Sequence, residues 1–241
     1  MNANHLSIVV PVYNEGESVK TLLDGVQHNV RGLPFNVSFV YDTEEDTTLP
    51  VIKRIHKNYD FKITLLKNKY GRGALNAIKT GLENADGNVV LVMMADLCDR
   101  PSDIPEMYRL INLGYDVVCG SRYMKRGGQN SAMPFKSLMS RFIGVSLYHL
   151  AGVGTHDVTN NYKMYRKNIF KKIKIESTGG FEVAMEVTVK ANAIGMKITE
   201  VPTVWTDRTY GQSRFNLKKW APKYFKWYVY ALMHRPGSVS A

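Results

Sequence analysis

Long apolar runs are missing from this 241-residue sequence: the longest, Val89–Ala95 and Trp227–Met233, have seven residues. A membrane-spanning helix needs about 20, so no span across a bilayer is expected. Cysteine is scarce. Cys98 and Cys119 are the only two and form no CxxC, which argues against a zinc ribbon or a disulfide framework and for a reducing compartment. The opening Met1–Ser7 lacks the basic segment and apolar stretch of an export signal. Gly (19) and Pro (9) are at ordinary levels, which excludes collagen-like and low-complexity chains. GxxxxGK[ST], HExxH and a Ser-centred nucleophile elbow are also absent. Gly71-Arg72-Gly73 is only GxG and follows the third predicted strand rather than the first, so a dinucleotide fingerprint fails on context. No repeat and no Gly/Pro/Ser-rich linker appears, and the length suits one large domain with a short C-terminal extension.

Positive charge is abundant. Thirty-two Lys and Arg against 21 Asp and Glu give +11, a balance suited to solubility or to polyanionic partners such as nucleic acid, anionic membrane or phosphorylated substrates. Its distribution is uneven: from Arg208 onward there are seven basic residues and no acid, whereas Asp42, Glu44, Glu45 and Asp46 form an acidic block. That block, and the lack of a base-stacking motif, speak against nucleic acid.

The first half alternates strands and helices. Leu6–Val12, Val37–Tyr41, Phe61–Leu65, Val89–Met94 and Val117–Gly120 read as strands. Between them, Val19, Leu22, Leu23, Val26 and Val30 recur at helical spacing, as do Leu75, Ile78, Leu82 and Ala85. Val51, Ile52 and Ile55 mark another helix, and Pro101 opens one carrying Ile104, Met107, Leu110 and Ile111. Repeated strand–helix units predict a doubly wound, mostly parallel sheet flanked by helices. The second half is less regular: helices are expected over Pro134–Ala151 and Phe181–Ala193, strands over Val158–Tyr165 and Ile198–Val204.

Ligands of such sheets bind beyond the carboxyl ends of the strands, which selects the loops near 12–15, 41–48, 67–73 and 95–100. Acidic groups stand there: Glu15, Asp42, Asp96 and Asp99. Carboxylates at this edge can hold a ribose, a base or a divalent cation bound through one or two carboxylates plus phosphates. The ordinary alternative is that Asp96 or Asp99 caps the helix beginning near Pro101.

The segment Ile8–Glu15, IVVPVYNE, resembles the opening of family 2 glycosyltransferases of the GT-A (nucleotide-diphospho-sugar transferase) fold. The later segments agree in order: Lys67–Asn76 (KNKYGRGALN), Met93–Pro101 (MMADLCDRP), Gly120–Tyr123 (GSRY), Asp157–Arg166, Gly179–Glu186 (GGFEVAME) and Glu200–Phe215 (EVPTVWTDRTYGQSRF). The last is close to the dolichyl-phosphate mannosyltransferase branch, which includes other polyprenyl-phosphate glycosyltransferases. The resemblance covers about 6–215, implying a domain over 1–215 and an extension over 216–241.

This resemblance implies inverting transfer of a mannose- or glucose-type hexose from a GDP- or UDP-sugar, with Mg²⁺ or Mn²⁺. Pro11, Tyr13, Glu15 and Asp42 would hold base and ribose. Gly71 and Gly73 would let the backbone approach, Arg72 would lie near the diphosphate, and Asp96 would hold the cation. Two departures stand out. Met94 occupies the place of the first Asp in the branch's DADL pattern, and a thioether is a poor ligand for a hard cation, which leaves Asp99 as the second metal carboxylate. The family's DDGSxDGT is reduced to Asp42, Asp46 and Thr48; together the departures also admit a catalytically silent scaffold of the same fold.

A hydroxyl acceptor needs a general base, and Glu182 and Glu186 are the candidates; the alternative places them on an exposed helix face paired with Lys190. A lipid phosphate is already ionised and needs a basic clamp instead. Arg122, Lys136, Arg141, Arg208 and Arg214 supply one, with Ser140 beside Lys136 at positions matching the branch's acceptor phosphate site; Arg122 and Arg208 also count as catalytic candidates. In the tail, Leu217, Trp220, Tyr224, Trp227 and Ala231 recur at helical spacing between lysines. That suits an interfacial helix on an anionic membrane or a helix packed on the domain. The expected setting is the cytoplasmic membrane face, held peripherally or through a membrane-anchored partner protein.

Overall fold

The computed structural model describes residues 4–130, 134–206 and 217–236, for 134–136 and 217–220 the backbone alone. Its chain order is β1 (Leu6–Pro11), α1 (Ser18–Asn29), β2 (Phe35–Tyr41), α2 (Thr48–Ile55), β3 (Lys62–Lys67), α3 (Ala74–Asn84), β4 (Val89–Val92), α4 (Ile104–Asn112), β5 (Val117–Ser121), β6 (Gly128–Asn130), α5 (Pro134–Ala151), β7 (Lys163–Arg166), α6 (Val183–Ala193), β8 (Ile198–Pro202), β9 (Val204–Thr206) and α7 (Leu217–Met233).

Seven strands form one sheet in the order β3-β2-β1-β4-β7-β5-β8. β1 pairs in parallel with β2 and β4, β2 with β3, and β5 with β8, while β7 runs antiparallel between β4 and β5. The expected mostly parallel sheet is therefore present. β1 and β4 are buried along their whole length, which is why they read as unbroken apolar runs rather than alternating ones. One core, with Leu22, Leu23, Ile52, Ile104 and Met107, lies on the α1, α2 and α4 face. The other, with Leu75, Ile78, Val183 and Val187, lies under α3 and α6.

One expectation needs correction. The strand foreseen over Val158–Tyr165 begins only at Lys163. Upstream, Asp157, Val158 and Asn160 curl their carbonyls around the Lys163 ammonium, with Nζ to O distances of 3.1 and 3.3 Å for the first two, so that backbone is unavailable to a ladder. For the tail, the structure takes up the second alternative, a helix packed on the domain. Tyr224, Trp227 and Ala231 do not face outward: they pack with Leu147, Ala151, Val153, Met185 and Val189 from α5, α6 and the loop after α5. α5 itself sits close to the loop at His156, since a Cβ on Gly144 would lie 2.0 Å from the His156 carbonyl oxygen. No helix among the described residues is long and apolar enough to cross a membrane.

Candidate active site

Three loops at the carboxyl edge are tied together by backbone and carboxylate hydrogen bonds. After β1, Asn14 adopts φ +56°, a conformation that Asn tolerates better than most residues. Its N–H donates to Asp46 Oδ1 at 3.1 Å, the Thr47 N–H donates to Asn14 Oδ1, and the Glu15 N–H donates to Thr48 Oγ1. Asp46 also accepts the Thr48 N–H at 2.8 Å. The β1–α1 and β2–α2 loops are thus one unit, leaving Tyr13 exposed on it.

Asp42 joins this unit to the third loop. Its Oδ1 accepts from Asn68 Nδ2 at 2.9 Å and its Oδ2 from the Gly73 N–H at 2.9 Å. Asn68 Nδ2 also donates to the Gly71 carbonyl, and its Oδ1 accepts from the Tyr70 N–H and the Thr80 hydroxyl. Gly71 and Gly73 have φ of +87° and +116°, where a Cβ would be strained. The turn delivers the N-terminus of α3 and the exposed Arg72 to the sheet edge. In the structure, then, Asp42 holds the Gly71–Gly73 turn. Asn68 and Asp46, both unassigned from sequence, do comparable structural work; Asp46 was visible as a remnant of the family pattern.

Asp96 and Asp99 follow β4. Neither caps the following helix. Asp96 Oδ1 accepts the Cys98 N–H at 3.2 Å across Leu97, whose φ is +62°. Asp99 is 5% exposed and turns inward, its Oδ2 accepting the Met94 N–H at 3.0 Å. Burial, then the neighbouring Asp96, push the Asp99 carboxyl up to about 7. No cluster of three or more His, Cys, Asp or Glu suited to a metal occurs among the described residues. A hard divalent cation nevertheless fits a site with one or two carboxylates, completing its shell with substrate phosphates and water. Asp96 suits that role; Asp99 is already committed to the Met94 amide.

A buried ionic group stands on the β5 side. Arg122 Nε and Nη2 donate to the two oxygens of Asp157 at 2.6 and 2.9 Å, and the Arg122 N–H and Thr159 hydroxyl add further bonds to that carboxylate. Burial opposes charge on Asp157, but Arg122 outweighs it and holds the carboxyl below its ordinary value. Burial of Lys163 lowers its ammonium instead. Arg122 also stacks on the Tyr123 ring, 4.9 Å from its centroid. Tyr123 Oη bonds to Ser140 Oγ and, at 2.9 Å, to Gln129 Oε1, which seats α5 against the loop after β5.

Arg122, Ser140 and Arg141 are thereby brought together around Tyr123, whose hydroxyl is shifted up mainly by burial and feels both arginines. Lys136 lies one turn before Ser140 on α5. Arg208 and Arg214 lie outside the described residues. Asp157 was missed from sequence. A lone Asp in a polar stretch has no periodicity to betray it, although it opens the matching segment Asp157–Arg166.

Glu182 and Glu186 are not on an exposed face. They are 1% and 0% exposed. Glu182 accepts the N–H groups of Gly179 and Gly180 at 2.8 and 2.9 Å. Glu186 accepts those of Glu176 and Ser177 at 2.6 and 2.8 Å and pairs with Lys190 at 2.8 Å. The foreseen pairing with Lys190 exists, but in the interior.

Residues 7–174 match the sequence profile of glycosyl transferase family 2. The chain is 28% identical over 239 residues to a dolichol-phosphate mannosyltransferase of Pyrococcus furiosus, covering 97% of this chain and 65% of the relative. It is 30% identical over 215 residues to an undecaprenyl-phosphate 4-deoxy-4-formamido-L-arabinose transferase of Pseudomonas fluorescens, covering 88% of this chain and 60% of the relative. The chain thus spans a little under two thirds of the length of these curated relatives. Among solved structures, glucosyl-3-phosphoglycerate synthase from Mycobacterium tuberculosis, in complex with Mn²⁺, UDP and glucosyl-3-phosphoglycerate, superposes with a TM-score of 0.70 at 14% identity, over 98% of this chain and 82% of that one. That likeness is one of fold, the GT-A fold. With the profile spanning most of the chain and the strand-edge motifs in family order, the chain belongs to glycosyl transferase family 2.

Proposed function

We propose that this chain transfers a hexose, with inversion, from a GDP- or UDP-sugar to a polyprenyl phosphate. The observation that carries this reading is the state of the two interior glutamates. Glu182 and Glu186 are 1% and 0% exposed and each accept two backbone N–H groups, so both carboxylates are enclosed and committed to the loop before α6 rather than open to a sugar hydroxyl. A phosphate acceptor needs no such base, being ionised at pH 7. It needs cations and hydroxyl donors, and Arg141, Ser140 and the Arg122–Tyr123 pair come together against the N-terminal half of α5. The names of the two curated relatives point to the same acceptor class.

In this reading the three linked loops, with Pro11, Tyr13, Glu15 and Asp42, receive the nucleoside. Arg72 and the N-terminus of α3 lie toward the diphosphate, where a helix N-terminus favours negative charge. Asp96 would hold Mg²⁺ or Mn²⁺, which when bound offsets the charge that builds on the leaving diphosphate. An acceptor phosphate oxygen attacks the anomeric carbon as its bond to the diphosphate oxygen breaks. Arg141, Ser140 and Lys136, with Arg208 and Arg214 from the segment outside the described residues, orient that phosphate. Arg122, tied to Asp157, braces Tyr123 beneath it.

The lipid would reach the site along α5, which exposes Leu138 (64%), Met139 and Phe142 (62%) beside Arg141. Phe225 and Met233 of α7 are exposed as well, among basic residues. Apolar side chains rimmed by Lys and Arg favour an anionic membrane surface, and the proposal takes this to be peripheral association with the cytoplasmic face. The test is transfer of labelled hexose from GDP- and UDP-sugars to undecaprenyl phosphate or to a free oligosaccharide. Label in the lipid phosphate supports the proposal; label only in the oligosaccharide overturns the acceptor assignment, and no transfer at all supports a silent scaffold.

A further inference from the structure

The loop Glu176–Gly180 has an unusual means of support. Four of its amides are taken by two side chains of the helix that follows it, Glu186 for residues 176 and 177 and Glu182 for residues 179 and 180. A buried carboxylate is costly unless its oxygens are satisfied. Glu186 is further matched by Lys190, which also donates to the Glu176 carboxylate at 3.0 Å and to the Lys174 carbonyl at 2.7 Å. Burial alone would lower the Lys190 ammonium, but these two glutamates more than offset it and the net shift is upward.

The support continues into α7. Lys190 Nζ lies 4.8 Å from the centroid of the Trp227 ring, within cation–π range, and Trp227 is 2% exposed between α5 and α6. One turn earlier, Lys223 Nζ reaches Thr178 Oγ1 of the loop at 3.5 Å. Tyr224, buried beside it, shares the electrostatic surroundings of Glu182, Arg122 and Asp157. The loop, the interior glutamates and α7 are therefore contiguous, through Lys190 and Lys223.

We infer that Glu182, Glu186, Lys190 and Trp227 form one positioning unit, through which α7 holds the loop Glu176–Gly180 as a wall of the acceptor side of the site. The significance for the acceptor rests on the proposed reaction; the mechanical part does not. α7 then serves as a strut rather than an appendage, and a perturbation of this helix, such as contact of its exposed Phe225 with a lipid surface, is passed to the loop through Trp227 and Lys190. Glu182 and Glu186 act on the substrate only through the loop they hold.

Amide hydrogen exchange separates the two parts of this inference. In the full chain, Glu186→Gln and Lys190→Met should each accelerate exchange at residues 176 and 177 by about tenfold or more, since a charge-assisted bond is lost. Glu182→Gln should do the same at 179 and 180. Trp227→Leu should accelerate 176 and 177 as well; Lys190→Met, which keeps the packed stem, and Lys190→Arg, which should restore protection, guard against simple unfolding. With undecaprenyl phosphate as acceptor, Glu186→Gln should raise the acceptor KM severalfold while the donor KM and Mn²⁺-dependent UDP or GDP binding stay within about twofold. Unchanged exchange in Lys190→Met and Trp227→Leu overturns the strut. Unchanged exchange in the two Gln variants with turnover abolished overturns the positioning role and makes the carboxylates chemical. If the wild type transfers nothing to the lipid, the exchange results still decide the strut, and only the proposed reaction falls.

Discussion

The two halves of the sheet edge are built differently. On the β1–β4 side, the loops that would receive a nucleotide are held by backbone amides donating to Asp46, Asp42 and Asn68; several of these side chains are partly exposed and the turns are shaped by Asn14, Gly71 and Gly73 in the left-handed region. On the β5–β8 side, the framework is ionic and interior: Arg122 on Asp157, Lys163 on three carbonyls, Glu186 on Lys190. The first half is a set of shaped backbone loops that a ligand can complete. The second is a frame whose charges mostly neutralise one another, with Arg141 exposed at its rim, where the proposed acceptor phosphate would bind.

The contrast can be broken at its strongest point. Asp157→Asn should cost about 3–5 kcal/mol, because it strands the buried Arg122 charge, and chemical denaturation would report it; a loss under 1 kcal/mol would show that the ionic frame is not what holds this half. On the nucleotide side, Asp96→Ala should leave folding within about 1 kcal/mol of wild type, as expected for a partly exposed loop residue, yet lower transfer by about 10²–10³-fold. Retention of full transfer in this variant, or in the presence of EDTA, would remove Asp96 and its cation from the account.

A smaller effect sharpens the comparison at the junction of the halves. The Asp99 carboxyl is raised to about 7, first by burial and then by Asp96, against an ordinary value near 3.8. A raised carboxyl favours the folded state fully at low pH, and that contribution is lost as pH rises through about 7. In metal-free buffer Asp99→Asn, which can still accept the Met94 N–H, should therefore be more stable relative to wild type at pH 8 than at pH 4, read by thermal denaturation. A difference that does not vary with pH would contradict the burial assigned to Asp99. Smallest, Gly73→Ala should cost about 1–2 kcal/mol for its φ of +116°, and should weaken nucleotide binding more than acceptor binding.

The same division explains what could be read from the sequence. β1, β2, β4 and helices α1, α3 and α4 announced themselves by apolar runs or helical spacing, since each buries a continuous face. The strand-edge rule then placed Glu15, Asp42 and Asp96 at one edge without reference to any relative. What failed lies where polar groups are buried. Lys163 at 0% exposure looks like any surface lysine in a string of letters, and it shortened β7 by holding carbonyls that a ladder would need. Glu182 and Glu186 read either as proton acceptors or as an outer helix face, and neither reading foresaw their burial because buried carboxylates are rare. The aromatic stripe of α7 was legible as a stripe, but its partners on α5 and α6 lie 35–84 residues away in sequence and no spacing reveals them.

The most direct test of the central claim, that the β1–β4 loops form a metal-assisted nucleotide diphosphate site, is thermal denaturation with GDP, UDP and their hexose conjugates, each with and without Mn²⁺, for wild type and Asp96→Asn. A ligand confined to the native state raises the midpoint by mass action. The account predicts an upward shift with one of the two nucleotide series, larger with Mn²⁺, whose Mn²⁺-dependent part disappears in Asp96→Asn. An identical response in wild type and Asp96→Asn, or no shift with any nucleotide, would contradict it.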